Sequence, residues 1–212
     1  MSTSTVPRSA GIGLLVYALA TFVAFLFSGA PGGDYSDAEV VGYIAPSHAA
    51  PAFVVWYIAA LGALALVLFG AGLRRVPGIG PSLSALAAVG AAVSLSGSLL
   101  VGGVAVGMLE GGSAVREQTP HTVVYLLTEI GDLAAVCGPA LCVGVIAIVL
   151  AMRTRMPAWL RVVAVIGGVC GILAPFYFTY FLYVIAAIAM AAAFLTGRAV
   201  RERTTERMAS VG

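Results

Sequence analysis

Long apolar runs separated by short polar gaps set the rhythm of this sequence. Bounded by charges, glycine or proline, four of them read off directly: Gly11–Ser28, Pro51–Leu73, Ser82–Leu109 and Thr122–Met152. Each is close to or above the ~20 residues that an α-helix needs to cross a hydrocarbon core about 30 Å thick. At ~1.5 Å per residue the fourth overshoots that core, so it must tilt, kink at Pro139 or begin outside it. The stretch from Pro157 to Gly197 would reach roughly 60 Å as one helix, twice the core, so it is one span with an overhang or two spans.

Charge decides between these. Arg74 and Arg75 follow the second run, Arg153, Arg155 and Arg161 follow the fourth, and Arg198, Arg201, Arg203 and Arg207 end the chain. The acidic residues Asp34, Asp37 and Glu39 follow the first run, and Glu110, Arg116 and Glu117 the third. Arginine-rich gaps stay on the cytoplasmic side. The N-terminus, the gaps after runs two and four, and the C-terminus then lie inside, which only an even number of spans allows. The expected fold is all-α: one transmembrane domain over residues 1–212, a polytopic bundle of six helices with both termini cytoplasmic. Its spans are 11–28, 51–73, 82–109, 122–152, 157–175 and 177–197, with an external loop at 29–50 and a cytoplasmic tail at 198–212. The aromatic cluster Phe176, Tyr177, Phe178, Tyr180, Phe181 and Tyr183 falls at the outer interface, where amphipathic rings prefer to sit.

Composition agrees. The chain has 212 residues, 61% hydrophobic and only 9% charged, where a soluble domain carries roughly 25% charged residues. Soluble enzymes, nucleic-acid binders and disordered tails are excluded. All basic residues are arginine, and Cys137, Cys142 and Cys170 lie inside apolar runs, where a thiol acts as a small hydrophobe rather than as part of a disulfide framework. Arg8, the apolar stretch to Phe27 and Ser28-Gly29-Ala30 also have the layout of a secretory signal peptide. The stretch is taken as a first membrane helix. In the external loop, Ser36-Asp37-Ala38-Glu39 has capping-box spacing ahead of Val40, Val41, Tyr43 and Ile44, which predicts a short amphipathic helix on the outer membrane surface or an ordered loop with no partner. The tail from Arg198 to Arg207 alternates Arg and Glu at helical spacing, extending the last helix towards anionic head groups.

Charge inside a membrane helix is expensive, so Glu129 and Asp132 of the fourth span are the main functional clue. His121, Tyr125, Thr128 and Asp132 follow i, i+4, i+7, i+11 spacing on one helix face, with Glu129 at its edge. This polar stripe reads as a proton or cation path or a pocket open to the outside, with Asp132 its deepest group. It also reads as a packing cluster satisfied by Ser94, Ser96 and Ser98 of the third span. That span carries Gly90, Ser94 and Ser98 at four-residue spacing, with Gly97, Gly102, Gly103 and Gly107 beyond, a small-residue face suited to close helix approach. His48 and His121, both at outer helix ends, are an alternative haem or metal pair, with Glu129 or Asp34 as an oxygen ligand. No catalytic serine elbow, zinc-protease motif or phosphate loop is present, so enzyme activity is not expected, although Asp132 and His121 could pair as acid and base.

Two segments carry a resemblance. From Met152 to Pro175 a basic gap meets a Pro-Ala-Trp-Leu helix start and a Gly-rich helix, and from Tyr43 to Arg75 a Tyr-Ile-Ala lead-in precedes an Ala/Leu helix ending in Leu-Arg-Arg. Both are similar to uncharacterised six-helix bacterial membrane proteins, of actinobacterial type by their arginine-only, alanine-rich usage. The resemblance implies six helices in a bacterial inner membrane and brings no activity or site residues with it. The functional expectation is a small transporter or ligand-binding membrane protein using the fourth-helix stripe. The alternatives are a non-catalytic accessory or assembly subunit and a haem or metal protein. The lipid bilayer, and a membrane-protein partner or second copy, are the expected partners; nucleic acid and a bound cofactor are not.

Overall fold

The computed structural model describes residues 6–196 together with 201 and 202. Within them the chain is helical apart from one two-residue pairing. Helix α1 is Arg8–Phe27 and α2 is Asp37–Ile44, which Ser36 caps by accepting the Glu39 amide at 3.5 Å. Helix α3 is Pro46–Leu73, α4 is Gly80–Glu110 and α5 is Gly112–Gln118. Helix α6 is His121–Arg153, α7 is Ala158–Ile172 and α8 is Phe178–Leu195. A 3₁₀ turn, Ala174–Phe176, joins the last two. Helices α1, α3, α4, α6 and α8 are long and apolar enough to cross a membrane, and α7 is a shorter apolar helix.

Two boundaries differ from expectation for backbone reasons. The second run was expected to start at Pro51, but Pro46 occupies the first turn of α3 and Pro51 sits inside it. Proline there removes one bond, to the carbonyl of Ser47, and both residues are exposed, so the helix continues through it. The fourth run was expected to tilt, to kink at Pro139 or to begin outside the core, and its backbone departs from the α-helix in a widened π turn over Leu133–Cys137, just ahead of Pro139. Pro139 has no N–H to give the Ala135 carbonyl, and the Ser94 hydroxyl of α4 donates to that oxygen instead, at 2.9 Å. Ser94→Ala therefore leaves a buried carbonyl unpaired and is expected to lower stability by about 1 kcal/mol or more. Ser96→Ala, at an exposed position of the same helix, is expected to stay within about 0.5 kcal/mol. Unfolding curves of the two variants in one detergent compare them directly.

The helices pack in a closed circuit: α1 on α3, α3 on α4, α4 on α6, α6 on α7, α7 on α8 and α8 back on α1. Neighbours run antiparallel, as Gly11 beside Leu195, Gly72 beside Ala10 and Gly171 beside Ala140 show. One end of the bundle consequently collects Arg8, Arg74, Arg75, Arg153 and Arg161, and the other collects the acidic loop. We call them the arginine end and the acidic end. At the arginine end the Arg74 Nε donates to the Ser84 hydroxyl at 3.1 Å, and Thr154–Arg155 pairs antiparallel with Arg201–Glu202. The helical extension expected over 198–207 lies outside the described residues except at 201 and 202, where the backbone is extended instead.

Burial is inverted relative to a water-soluble bundle. The interior is rich in alanine and glycine, with Tyr17, Trp56, Tyr180 and Tyr183 as its large members, while Ile58, Leu61, Leu64 and Leu68 of α3 and Val162, Ile166 and Val169 of α7 face outwards. Small residues inside let backbones approach closely, and an apolar exterior is stable only in an apolar solvent.

Candidate functional site

The acidic end is built around the first half of α6. His121 opens that helix, and its Nδ1 donates to the Asp37 carboxylate of α2 at 2.6 Å. Tyr35 donates to the same oxygen at 3.0 Å. One turn further, the Tyr125 hydroxyl donates to the Gly33 carbonyl, and its ring meets Tyr35 edge-on. Another turn on, Glu129 accepts the Tyr177 hydroxyl on Oε1 at 3.2 Å. Its second oxygen, Oε2, is buried and has no hydrogen-bond partner. Loop 29–36 is thereby clamped against α6, and beneath it opens a cavity of about 320 Å³ lined by Phe25, Ser28, residues 30–33, Asp132 and Tyr177.

The stripe is thus corrected in one member. His121, Tyr125, Glu129 and Asp132 share the face that meets the loop and the cavity. Thr128 instead is fully buried and returns its hydroxyl to the Val124 and Tyr125 carbonyls of its own helix, at 3.0 and 2.9 Å. The serines expected to satisfy the carboxylates do not reach them. Ser94 holds the Ala135 carbonyl, Ser98 is buried with an unpartnered hydroxyl, and Ser96 is exposed.

The two histidines do not converge. His48 Nε2 lies 3.0 Å from the Ser28 carbonyl, and since a carbonyl only accepts, that nitrogen carries the proton. The ring packs beneath Gly29, whose φ of +59° and lack of a Cβ allow the chain to turn across it. His48 helps line a neighbouring opening of about 480 Å³ with Glu39 and Tyr43, and residues 30–32 form the wall shared with the Asp132 cavity. Among the described residues no three His, Cys, Asp or Glu side chains are grouped as metal ligands.

Sequence reasoning did not bring Phe25, Tyr35, Asp37 or Tyr177 to this site. Asp37 read as a capping residue and Tyr177 as part of an interfacial belt. Nothing local marks either as a partner of α6, because Asp37 lies 84 residues from His121 and Tyr177 lies 48 from Glu129. The amphipathic α2 was expected on the membrane surface. Val40, Tyr43 and Ile44 are buried within the protein, and Tyr43 donates to the Val101 carbonyl of α4 at 3.1 Å.

The clamp has a defined pH dependence. The hydrogen bond from His121, and secondarily that from Tyr35, holds the Asp37 carboxyl below its ordinary value. A carboxyl lowered by folding contributes above its unfolded pKa, ~3.9, and loses that contribution as pH falls through its folded value. Protection of the amides in residues 33–37, corrected for the intrinsic pH dependence of exchange, is therefore expected to hold from pH 7 to about 5 and to fall only below about 4. His121→Ala is expected to lower it already at neutral pH, and protection unchanged by that substitution would contradict this assignment.

A set of long apolar helices with an apolar exterior and most of its charge gathered at the two ends is the architecture of a helical multi-pass membrane protein. Compared with protein-family models, with curated proteins and with solved structures, the chain has no match.

Proposed function

We propose that this chain is a six-span protein of a bacterial inner membrane, with both termini cytoplasmic, that binds a small ligand entering the Asp132 cavity from the outer side, in the manner of a small transporter. The observation that carries the reading is the cavity itself. It is lined by the Asp132 carboxyl group of a membrane-spanning helix, with Glu129 one turn away beside the cavity wall at Gly32, and no basic side chain pairs with either among the described residues. A packing cluster would close its own polar groups; here one oxygen of Glu129 has no partner and Asp132 borders open space.

Six spans are supported by direction. The pairing of Thr154 with Glu202 puts the end of α6 and the chain beyond α8 at the same end of the bundle. Helices α7 and α8 therefore run out and back, although α7, at 15 residues, is only about 22 Å long. Orientation is supported by the arginines gathered at that end, the side that the positive-inside rule makes cytoplasmic. The accessory-subunit reading drew on small-residue helix faces and on an outer surface helix, and the apolar side of that helix, Val40, Tyr43 and Ile44, is covered by the bundle.

Membrane-impermeant thiol labelling tests the reading in intact cells. In a background lacking Cys137, Cys142 and Cys170, Ala30→Cys in the cavity wall and Ser113→Cys in α5 are expected to label from outside, and a cysteine after Gly212 only after lysis. Labelling of Ala30→Cys only after lysis would refute the outward-facing site.

A further inference from the structure

We propose that the ligand of this cavity is a small organic cation, an alkylammonium held by the Asp132 carboxyl group against the rings of Phe25 and Tyr177. The proposal rests on the outward-facing site and adds the chemistry of its occupant. Three observations converge on it.

The first is uncompensated negative charge. Every basic side chain near the acidic end is committed elsewhere: Arg116 donates to the Met108 carbonyl, His48 to Ser28 and His121 to Asp37. The His121–Asp37 contact is the sole pairing of a basic with an acidic side chain among the described residues. Glu129 and Asp132 lie three residues apart on one helix, an arrangement in which like charges repel. Tyr177 satisfies one Glu129 oxygen, and the other is fully enclosed beside Gly32 with no donor. Asp132, the carboxyl group that does border the cavity, has no hydrogen-bond partner among the described side chains, and a donor-bearing cation in the cavity meets that need.

The second is space. Hard metal ions take six or more oxygens at bonding distance, or keep a shell of waters, and no such group of side chains converges here. The cavity, about 320 Å³, is roughly ten times the ~30 Å³ share of one water. It suits a compact organic group.

The third is the wall. The rings of Phe25 and Tyr177 lie nearly parallel, 21° apart with centroids at 6.0 Å, and Tyr180 tilts onto Phe25 at 5.2 Å. Aromatic rings beside a carboxylate offer apolar surface to the alkyl substituents of an ammonium group, where a purely polar wall would favour a hydrated ion. Tyr177 is held there at some expense. Its φ of +42° makes it the single non-glycine residue with positive φ among those described, a conformation that persists only where surrounding structure imposes it and that clusters at ligand sites. The acidic loop above, with Glu39 in the adjoining opening, concentrates cations at the entrance.

The test uses the full chain purified in mild detergent at neutral pH and constant ionic strength. Its probes are tetramethylammonium and n-butylammonium chloride, with sodium chloride, magnesium chloride and uncharged tert-butanol as comparisons. Saturable thermal stabilisation by at least one alkylammonium, and by none of the comparisons, is the expected result. Asp132→Asn and Phe25→Leu are each expected to weaken it by about ten-fold or more, and Phe25→Tyr, which keeps the ring, to retain it. Should a variant not fold, the probe comparison on the unaltered protein decides alone. Stabilisation by sodium or magnesium equal to that by alkylammonium, or no response to any probe, overturns the organic-cation assignment. With Ala30→Cys still labelled from outside, the outward-facing site would survive that result; with labelling only after lysis, the site itself fails.

Discussion

Replacing Gly97 with alanine is expected to destabilise the protein by about 3 kcal/mol or more, the upper range for overpacking a tight interface. At Gly97 the backbones of α4 and α6 approach closely. A Cβ added there would come within 2.5 Å of the Gly131 carbonyl oxygen and nearer still to the Ala135 amide nitrogen. Both are backbone atoms of α6, so no side-chain rotation relieves the overlap and the helices must separate. Separation would also break the Ser94 bond to the Ala135 carbonyl and shift Asp132, which follows Gly131 directly. Gly103→Ala is the matched control. An added Cβ at Gly103 meets nothing within 4 Å, and alanine in a helix interior gains up to about 1 kcal/mol over glycine. Reversible unfolding of the two variants by a denaturing detergent measures the difference. A Gly97→Ala protein as stable as the unaltered chain would show that α4 and α6 do not meet this closely.

The same interface explains which parts of the site were legible in the sequence. Helix existence followed from apolar run length, and most boundaries lie within a few residues of those expected, because the charges and prolines that end a run also end a helix. The carboxylates stood out because charge in a long apolar run is rare. What could not be read was which neighbour each face of α6 meets. Thr128 and Glu129 are adjacent in sequence and equally compatible with a line through His121, Tyr125 and Asp132. Small-residue packing decides between them: Gly131 and Ala135 turn the Thr128 side towards Gly97 of α4, which leaves Glu129 and Asp132 facing α1, the loop and the turn at Tyr177. The matching of carboxylates to serines failed for that reason, since Ser94 and Ser98 lie on the α4 side. The widened turn at Leu133–Cys137 was legible only as a proline effect, because the hydroxyl that completes it comes from 41 residues away.

Asp132→Asn is expected to raise stability by about 2 kcal/mol while weakening the response to alkylammonium about ten-fold or more. Insertion scales put an ionised carboxylate at the centre of a membrane helix at about +2.5–3.5 kcal/mol. Asp132 sits towards the acidic end, so somewhat less is recovered on neutralising it, and relief of its like-charge neighbour Glu129 adds about 0.2–0.5 kcal/mol. No hydrogen bond between Asp132 and another described side chain is lost in exchange. The opposite signs on stability and binding separate the two readings of this residue. A carboxylate kept for packing would lower stability when neutralised, as removal of one member of a satisfied polar network does. A carboxylate kept for a ligand is a local cost that function imposes, and its removal stabilises the empty protein. Glu129→Gln sharpens the comparison, because it keeps an acceptor for Tyr177 and puts an amide where the orphaned oxygen now lies. Thermal unfolding of both variants, each with and without the alkylammonium that stabilises the unaltered protein, measures the two signs together; destabilisation of both without ligand would mark the pair as structural and return the site to the helix-packing reading.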